Sequence, residues 1–172
     1  MRRPRGLDDY YLRAASFCGP RNLLFQSRKL QFAHFETVPL HPPTALEPEC
    51  FDLLIGISIF THLRESDQFQ WLSELERVAA KGAVLLMTTH GETAACRGRW
   101  PDLAYHEWRQ KGFKDASSNL DLAEVLADGE YYRNVYHTRQ YVERSWSRYF
   151  KVIEILPGYI GGLQDLVMMI KA

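Results

Sequence analysis

Two histidines stand where a proton acceptor would be useful. His62 follows the apolar run Phe51–Phe60, and His90 follows a second run, Ala83–Met87, across Thr88-Thr89. Imidazole titrates nearest neutrality of all side chains, so either residue can take a proton from a hydroxyl or an amine, or simply line a pocket. The competing reading has Thr61 and His62 satisfying backbone groups at the turn into a helix. Asp8 and Asp9 precede a stretch, Asp9–Cys18, that reads as helical and is broken by Gly19-Pro20, so a carboxylate there can cap that helix. His34 and His41 have no clustered Cys or carboxylates, and no metal site is expected from them. Cys18, Cys50 and Cys96 are an odd, widely spaced set without CxxC. They read as reduced thiols of a cytoplasmic protein rather than a disulfide frame.

The elements that must position these residues centre on Phe51–Gly91. Phe51–Phe60 is interrupted only by Asp52, Gly56 and Ser58, the pattern of a strand buried on both faces of a parallel sheet. Phe69, Leu72, Leu75 and Ala79 then recur at helical spacing, with Gln70, Ser73, Glu74, Glu76 and Arg77 opposite. Lys81-Gly82 reads as the end of that helix, a cation for its last turn and a residue free to take positive φ. Ala83–Met87 is the next strand. Strand, helix and strand in about forty residues make a right-handed βαβ unit, and the chain is an α/β protein.

Those segments, FDLLIGISIFTHL, WLSELERV and VLLMTTHG, resemble the fourth strand, following helix and fifth strand of the class I S-adenosylmethionine-dependent methyltransferases, and within them the bacterial small-molecule group with SVFTHL after the fourth strand. The resemblance implies a Rossmann-like sheet of order 3-2-1-4-5-7-6 with S-adenosylmethionine at the carboxyl ends of its strands. It places Gly6-Leu7-Asp8 at the end of the second strand, where Asp8 receives the two ribose hydroxyls of the cofactor, two acceptor oxygens for two donors. It places Leu40 near the adenine and Ser58 and Ile59 along the cofactor at the end of the fourth strand. The adenine-side acid of the family is replaced by Pro39, which has neither carboxylate nor amide donor. No GxGxG occurs, and the first strand and its glycine-rich loop have no room before Gly6. The sheet is thus expected to lack its central strand, leaving Phe51–Phe60 open along one edge, and 1–172 to form a single, partial domain prone to self-association.

Elsewhere, Gln31–Val38 reads as the third strand, and Gly91–Tyr132 shows no clean periodicity apart from a short helix over Asn119–Ala127. Its aromatic residues, Trp100, Tyr105, Trp108, Phe113, Tyr131 and Tyr132 among them, suit either a lid over the site or a loop anchored to the core. Thr138 can cap a helix over Arg139–Arg148 with Val142 and Trp146 on one face. Phe150–Leu156 and Asp165–Ile170, joined through Pro157–Gly162, read as an antiparallel hairpin. The same hairpin closes the sheet in the resembled family and separates it from dehydrogenase domains, which end on parallel strands.

Composition narrows the function classes. The 172 residues are 46% hydrophobic and 24% charged, with formal net charge zero, which suits a globular domain and offers no general attraction to nucleic acid. No apolar stretch approaches the ~20 residues of a membrane span. The leading expectation is methyl transfer from S-adenosylmethionine to a small-molecule acceptor, on oxygen rather than nitrogen, with His62 the candidate base and His90 a second candidate. A truncated or degenerate fold kept for binding, or non-functional, is the alternative. A nicotinamide-dependent oxidoreductase ranks third, against both the hairpin and the absent glycine fingerprint.

Overall fold

The computed structural model describes residues 12–16, 33–122 and 130–172. It divides into two compact units, Met1–Ala45 and Leu46–Ala172. In the first, β1 (Leu12–Ser16) runs parallel to β2 (Ala33–Thr37), with Leu12 opposite Ala33 and Ser16 opposite Thr37. The expected helix over Asp9–Cys18 is therefore corrected: its middle is a strand. Leu, Arg and Ala are good helix formers, but a propensity of a few tenths of a kcal/mol per residue yields to the ladder of bonds that β2 offers. The strand beside β2 ends at Ser16, and Asp8 lies outside the described residues. Leu40, half-buried, and His41, exposed, follow β2 in the same unit.

The second unit begins with β3 (Phe51–Gly56), α1 (Glu65–Val78) and β4 (Ala79–Thr89). Two short helices follow, α2 (Glu92–Arg97) and α3 (Asp102–Lys111), then β5 (Phe113–Ser118) and β6 (Arg133–His137). The chain finishes with α4 (Arg139–Trp146), β7 (Lys151–Ile160) and β8 (Gln164–Ile170). Four strands form one sheet in the order β3-β4-β8-β7. β3 and β4 are parallel, whereas β8 is antiparallel to both β4 and β7, so the terminal hairpin returns into the sheet. Leu85 and Met87 of β4 and Val167 and Met169 of β8 are buried, as are Leu72 and Val78 of α1 and Val142 and Trp146 of α4. The side-chain oxygen of Thr138 accepts the Tyr141 amide and starts α4 as a cap should.

Several boundaries differ from those the sequence suggests. β3 stops at Gly56 instead of Phe60, because Ser58 takes a left-handed φ of +58° and turns the chain. β3 is also not buried on both faces: Leu53 is 51% and Ile55 61% exposed, and among the described residues only β4 pairs with it. α1 ends at Val78, and Ala79 is already extended, so Lys81-Gly82 lies inside β4 rather than capping the helix. Gly82 does adopt positive φ, +80°, where the register with β3 slips and the Gly82 amide turns to the Lys171 carbonyl. The buried face of α1 includes Gln68, Trp71 and Glu74, while Phe69 and Leu75 are only half-buried. Glu74 tolerates this because Arg77 forms a charged pair with it at 2.6 Å. The expected helix over Asn119–Ala127 contains one 3-10 turn, Leu120–Leu122, and the residues after it lie outside those described.

Candidate active site at the carboxyl ends of β3 and β4

The parallel pair β3–β4 delivers two loops to one end of the sheet, Ile57–Arg64 and His90–Gly91. Ser58 is fixed there from both sides. Its amide donates to Thr88 Oγ1 at 2.8 Å, and its hydroxyl and the Gln164 side-chain amide are hydrogen-bonded to each other at 2.8 Å. Gly56 just before it leaves room for the Met87 side chain, whose Sδ would lie 2.5 Å from an added Cβ and would have to shift. Ile57, 44% exposed, and half-buried Ile59 flank Ser58 with apolar surface.

β6 crosses this end like a strap. The Arg133 amide donates to the His62 carbonyl, the Val135 amide to Thr61 and the His137 amide to His90. His62 and His90, 28 residues apart in sequence, are thereby held with ring centroids 5.9 Å apart. The His62 ring stacks on Tyr132 at 4.1 Å, and His90 lies 5.3 Å from Tyr136. Tyr136 meets Trp100 edge-on at 4.5 Å. Lys114 Nζ stands 5.3 Å from the centre of the Trp100 ring.

His62 Nδ1 lies 2.7 Å from the Arg133 carbonyl oxygen. A carbonyl can only accept, so Nδ1 carries the proton, and in neutral imidazole the lone pair is then on Nε2. Burial lowers the His62 pKa below its ordinary value, opposed by that backbone bond and by the charge of Asp121. His90 is pushed down to about 4, mainly by burial and then by His62 beside it. Both rings are therefore neutral at pH 7, and His62 Nε2 makes no hydrogen bond among the described residues. Deeper in, His137 is fully buried with a pKa lowered to about 3 by burial and by His90. Its Nε2 donates to Gln68 Oε1 at 2.9 Å.

Of the residues singled out from the sequence, Ser58, Ile59, His62 and His90 are gathered at this one end; Leu40 belongs to the first unit. Sequence reasoning missed Gln164, Gln68, Tyr136 and His137. Tyr132, Asn134, Tyr136 alternate with Val135 and His137 on a strand, a period-two signal that could have revealed β6. Among the described residues no group of three or more His, Cys, Asp and Glu is placed to hold a metal ion.

No protein-family model matches the chain, and no curated protein matches it in sequence. Solved structures do match in shape. A SAM-dependent methyltransferase from Methanosarcina mazei superposes with a TM-score of 0.63 at 14% identity, over 92% of this chain and 81% of that one. The 1,6-didemethyltoxoflavin-N1-methyltransferase of Burkholderia thailandensis, with bound 1,6-didemethyltoxoflavin and S-adenosylhomocysteine, gives 0.62 at 10% identity over 95% of this chain and 62% of that one. An S-adenosylmethionine-dependent methyltransferase from Mesorhizobium loti gives 0.56 at 12% identity, over 94% and 80%. The fold is the class I methyltransferase fold. Its terminal antiparallel hairpin, β7–β8, is the element that the sequence placed there.

Proposed function

We propose that this chain transfers a methyl group from S-adenosylmethionine to the hydroxyl of a small-molecule acceptor, with His62 as general base. The observation that carries this reading is the His62 imidazole, neutral, clamped through Nδ1 to the Arg133 carbonyl, with the Nε2 lone pair uncommitted. Its place at the carboxyl end of β3 in a class I methyltransferase fold is where an acceptor would meet the donor.

Ile57 and Ile59 flank Ser58 with uncharged, apolar surface, which suits the adenosyl portion of the cofactor. We assign Ser58 and Ile59 to that contact, Leu40 to the adenine and Asp8 to the ribose hydroxyls, the last two on the resemblance. S-adenosylmethionine, when bound, supplies a methyl carbon whose bond to sulfur breaks with the electron pair left on sulfur. The protein's work is then positioning and proton removal. His62 takes the hydroxyl proton on Nε2 as the oxygen becomes nucleophilic, and the Arg133 carbonyl steadies the imidazolium so formed. Oxygen is favoured over nitrogen as acceptor because a hydroxyl, unlike a neutral amine, needs such a base before it attacks.

A cytoplasmic setting agrees with Cys50 and Cys96 standing outside any disulfide, and no helix among the described residues is long and apolar enough to cross a membrane.

The test pairs calorimetry with turnover. S-adenosylhomocysteine should bind, and His62→Ala should lower turnover about 10²–10⁴-fold while leaving that affinity nearly intact. Lost affinity with turnover preserved would make His62 a pocket residue. No binding at all would leave the alternative, a fold kept for binding something else.

A further inference from the structure

The hairpin β5–β6 has two unlike faces. Cross-strand partners share a face, and successive partners alternate. Phe113 is opposite His137 and their rings meet at 5.2 Å, while Asp115 is opposite Val135. His137 and Val135 are fully buried, so this face closes on the protein. Lys114 is opposite Tyr136 on the other face, and Tyr132 immediately precedes β6. That face looks onto His62 and His90 through the ring contacts given above.

Tyr132, His62, His90, Tyr136 and Trp100 thus form a continuous row of rings, and every one of them is half-buried rather than sealed. The row has an electron-rich aromatic surface and a neutral base within it. Lys114 stands at its Trp100 end. This ammonium has no carboxylate partner among the described residues, whereas its neighbours are committed: Asp115 is paired with Arg133, and Arg133 also with Glu130. Asp121, the acid that acts on His62 and Tyr132, belongs to the opposite, Tyr132 end. A half-buried row of rings with a base beside its Tyr132 end and a cation without a carboxylate partner at its Trp100 end is complementary to one chemical class.

We infer that the acceptor is a planar aromatic acid, stacked on the Tyr132–Trp100 row with its carboxylate toward Lys114 and its hydroxyl toward His62. The ring row supplies stacking, worth more for an aromatic than a saturated ring of equal size. Lys114 supplies a charged partner that a neutral phenol cannot use. Lysine as a point charge sets the end at which the acid lies, and this orientation turns the ring hydroxyl back toward the imidazole.

The inference rests on the proposed methyl transfer only for the acceptor's fate, and binding tests it separately. Calorimetry with the intact chain and S-adenosylhomocysteine would compare 3,4-dihydroxybenzoate, catechol and cyclohexanecarboxylate. The aromatic acid should bind about tenfold or more tighter than either control. Lys114→Gln should bring 3,4-dihydroxybenzoate down to the level of catechol without changing catechol itself, and Tyr136→Leu should weaken both aromatic ligands. Equal affinities for the aromatic and the saturated acid, or an acid preference that survives Lys114→Gln, would overturn the inference, as would no binding of the aromatic acid. Tight binding of the acid without methylation would instead sink the methyl-transfer reading and leave the aromatic-acid site standing. Methylation restricted to aliphatic acceptors would do the reverse.

Discussion

At the scale of single residues, the orientation of Gln68 can be read from its partners. Its Nε2 faces the carbonyls of Phe60 and Leu63 at 3.2 and 2.8 Å, so that atom must be the donor and Oε1 the acceptor of His137 Nε2–H. One side chain therefore ties the second half of the site loop to β6. The arrangement requires His137 to be neutral, and its folded pKa, about 3, lies below the ordinary 6.5. The unfolded chain takes protons at that position as pH falls through 6.5, and the folded chain refuses them. Stability is therefore complete above about pH 6.5 and declines toward pH 3 for His137, by roughly 1 kcal/mol per pH unit, and over the shorter window down to about pH 4, and by less, for half-buried His90. Urea denaturation at pH 7.5, 6 and 5 measures the slope. His137→Phe should remove most of it, while costing about 1–3 kcal/mol at pH 7.5 by leaving Gln68 Oε1 buried without a donor. An unchanged slope in that variant would assign the acid sensitivity elsewhere.

At the scale of elements, the loop after β4 is held by a contact that no local pattern foretells. An added Cβ at Gly91 would lie 1.8 Å from Asp165 Oδ2, so the chain enters α2 directly against the side chain of Asp165 at the start of β8. Asp165 is buried, and burial raises its pKa against the opposing bond from the Gly158 amide at 2.8 Å. Gly91→Ala should cost about 1–3 kcal/mol by overpacking and displace His90 from His62. Thermal denaturation reads the first effect and the turnover of the variant reads the second. Adding Asp165→Ala should recover part of both; a double variant worse than the sum of the two would refute the steric account. Thr138→Ala, by comparison, should cost about 0.5–2 kcal/mol through the lost cap alone and leave turnover per folded molecule unchanged.

At the scale of the whole molecule, the exposed apolar side chains of β3 are the feature with consequences. Leu53 and Ile55 of β3 are more than half exposed, and among the described residues β4 is the only strand that pairs with β3. Exposed apolar side chains on a strand with a neighbour on one side only, among the described residues, favour association with another chain. We propose self-association along this edge. Ile55→Lys should raise the concentration at which the protein associates, as measured by sedimentation, and leave the far-ultraviolet spectrum unchanged. A strictly monomeric parent protein at high concentration would dispose of the proposal.

What the sequence determined by itself was β3–α1–β4 at one end and α4–β7–β8 at the other, because strand-helix-strand alternation and the Thr138 cap are local, and local patterns survive folding; α2, α3, β5 and β6 between them were not foreseen. The alternation gave an α/β core, and the class I fold was implied by the resemblance of those segments and of the final hairpin to the methyltransferases. Both candidate histidines were visible for the same reason, each standing just past an apolar run. Tertiary structure decided the rest. It made a strand of Leu12–Ser16, since β2 offers a partner that no propensity records. It exposed Leu53 and Ile55, since an apolar run looks the same whether or not a neighbour covers it. Above all it brought Tyr132 to His62 and Tyr136 to His90: β6 lies some seventy residues downstream of His62, and only its Arg133 carbonyl, which accepts from His62 Nδ1, fixes which ring nitrogen is left to act as a base.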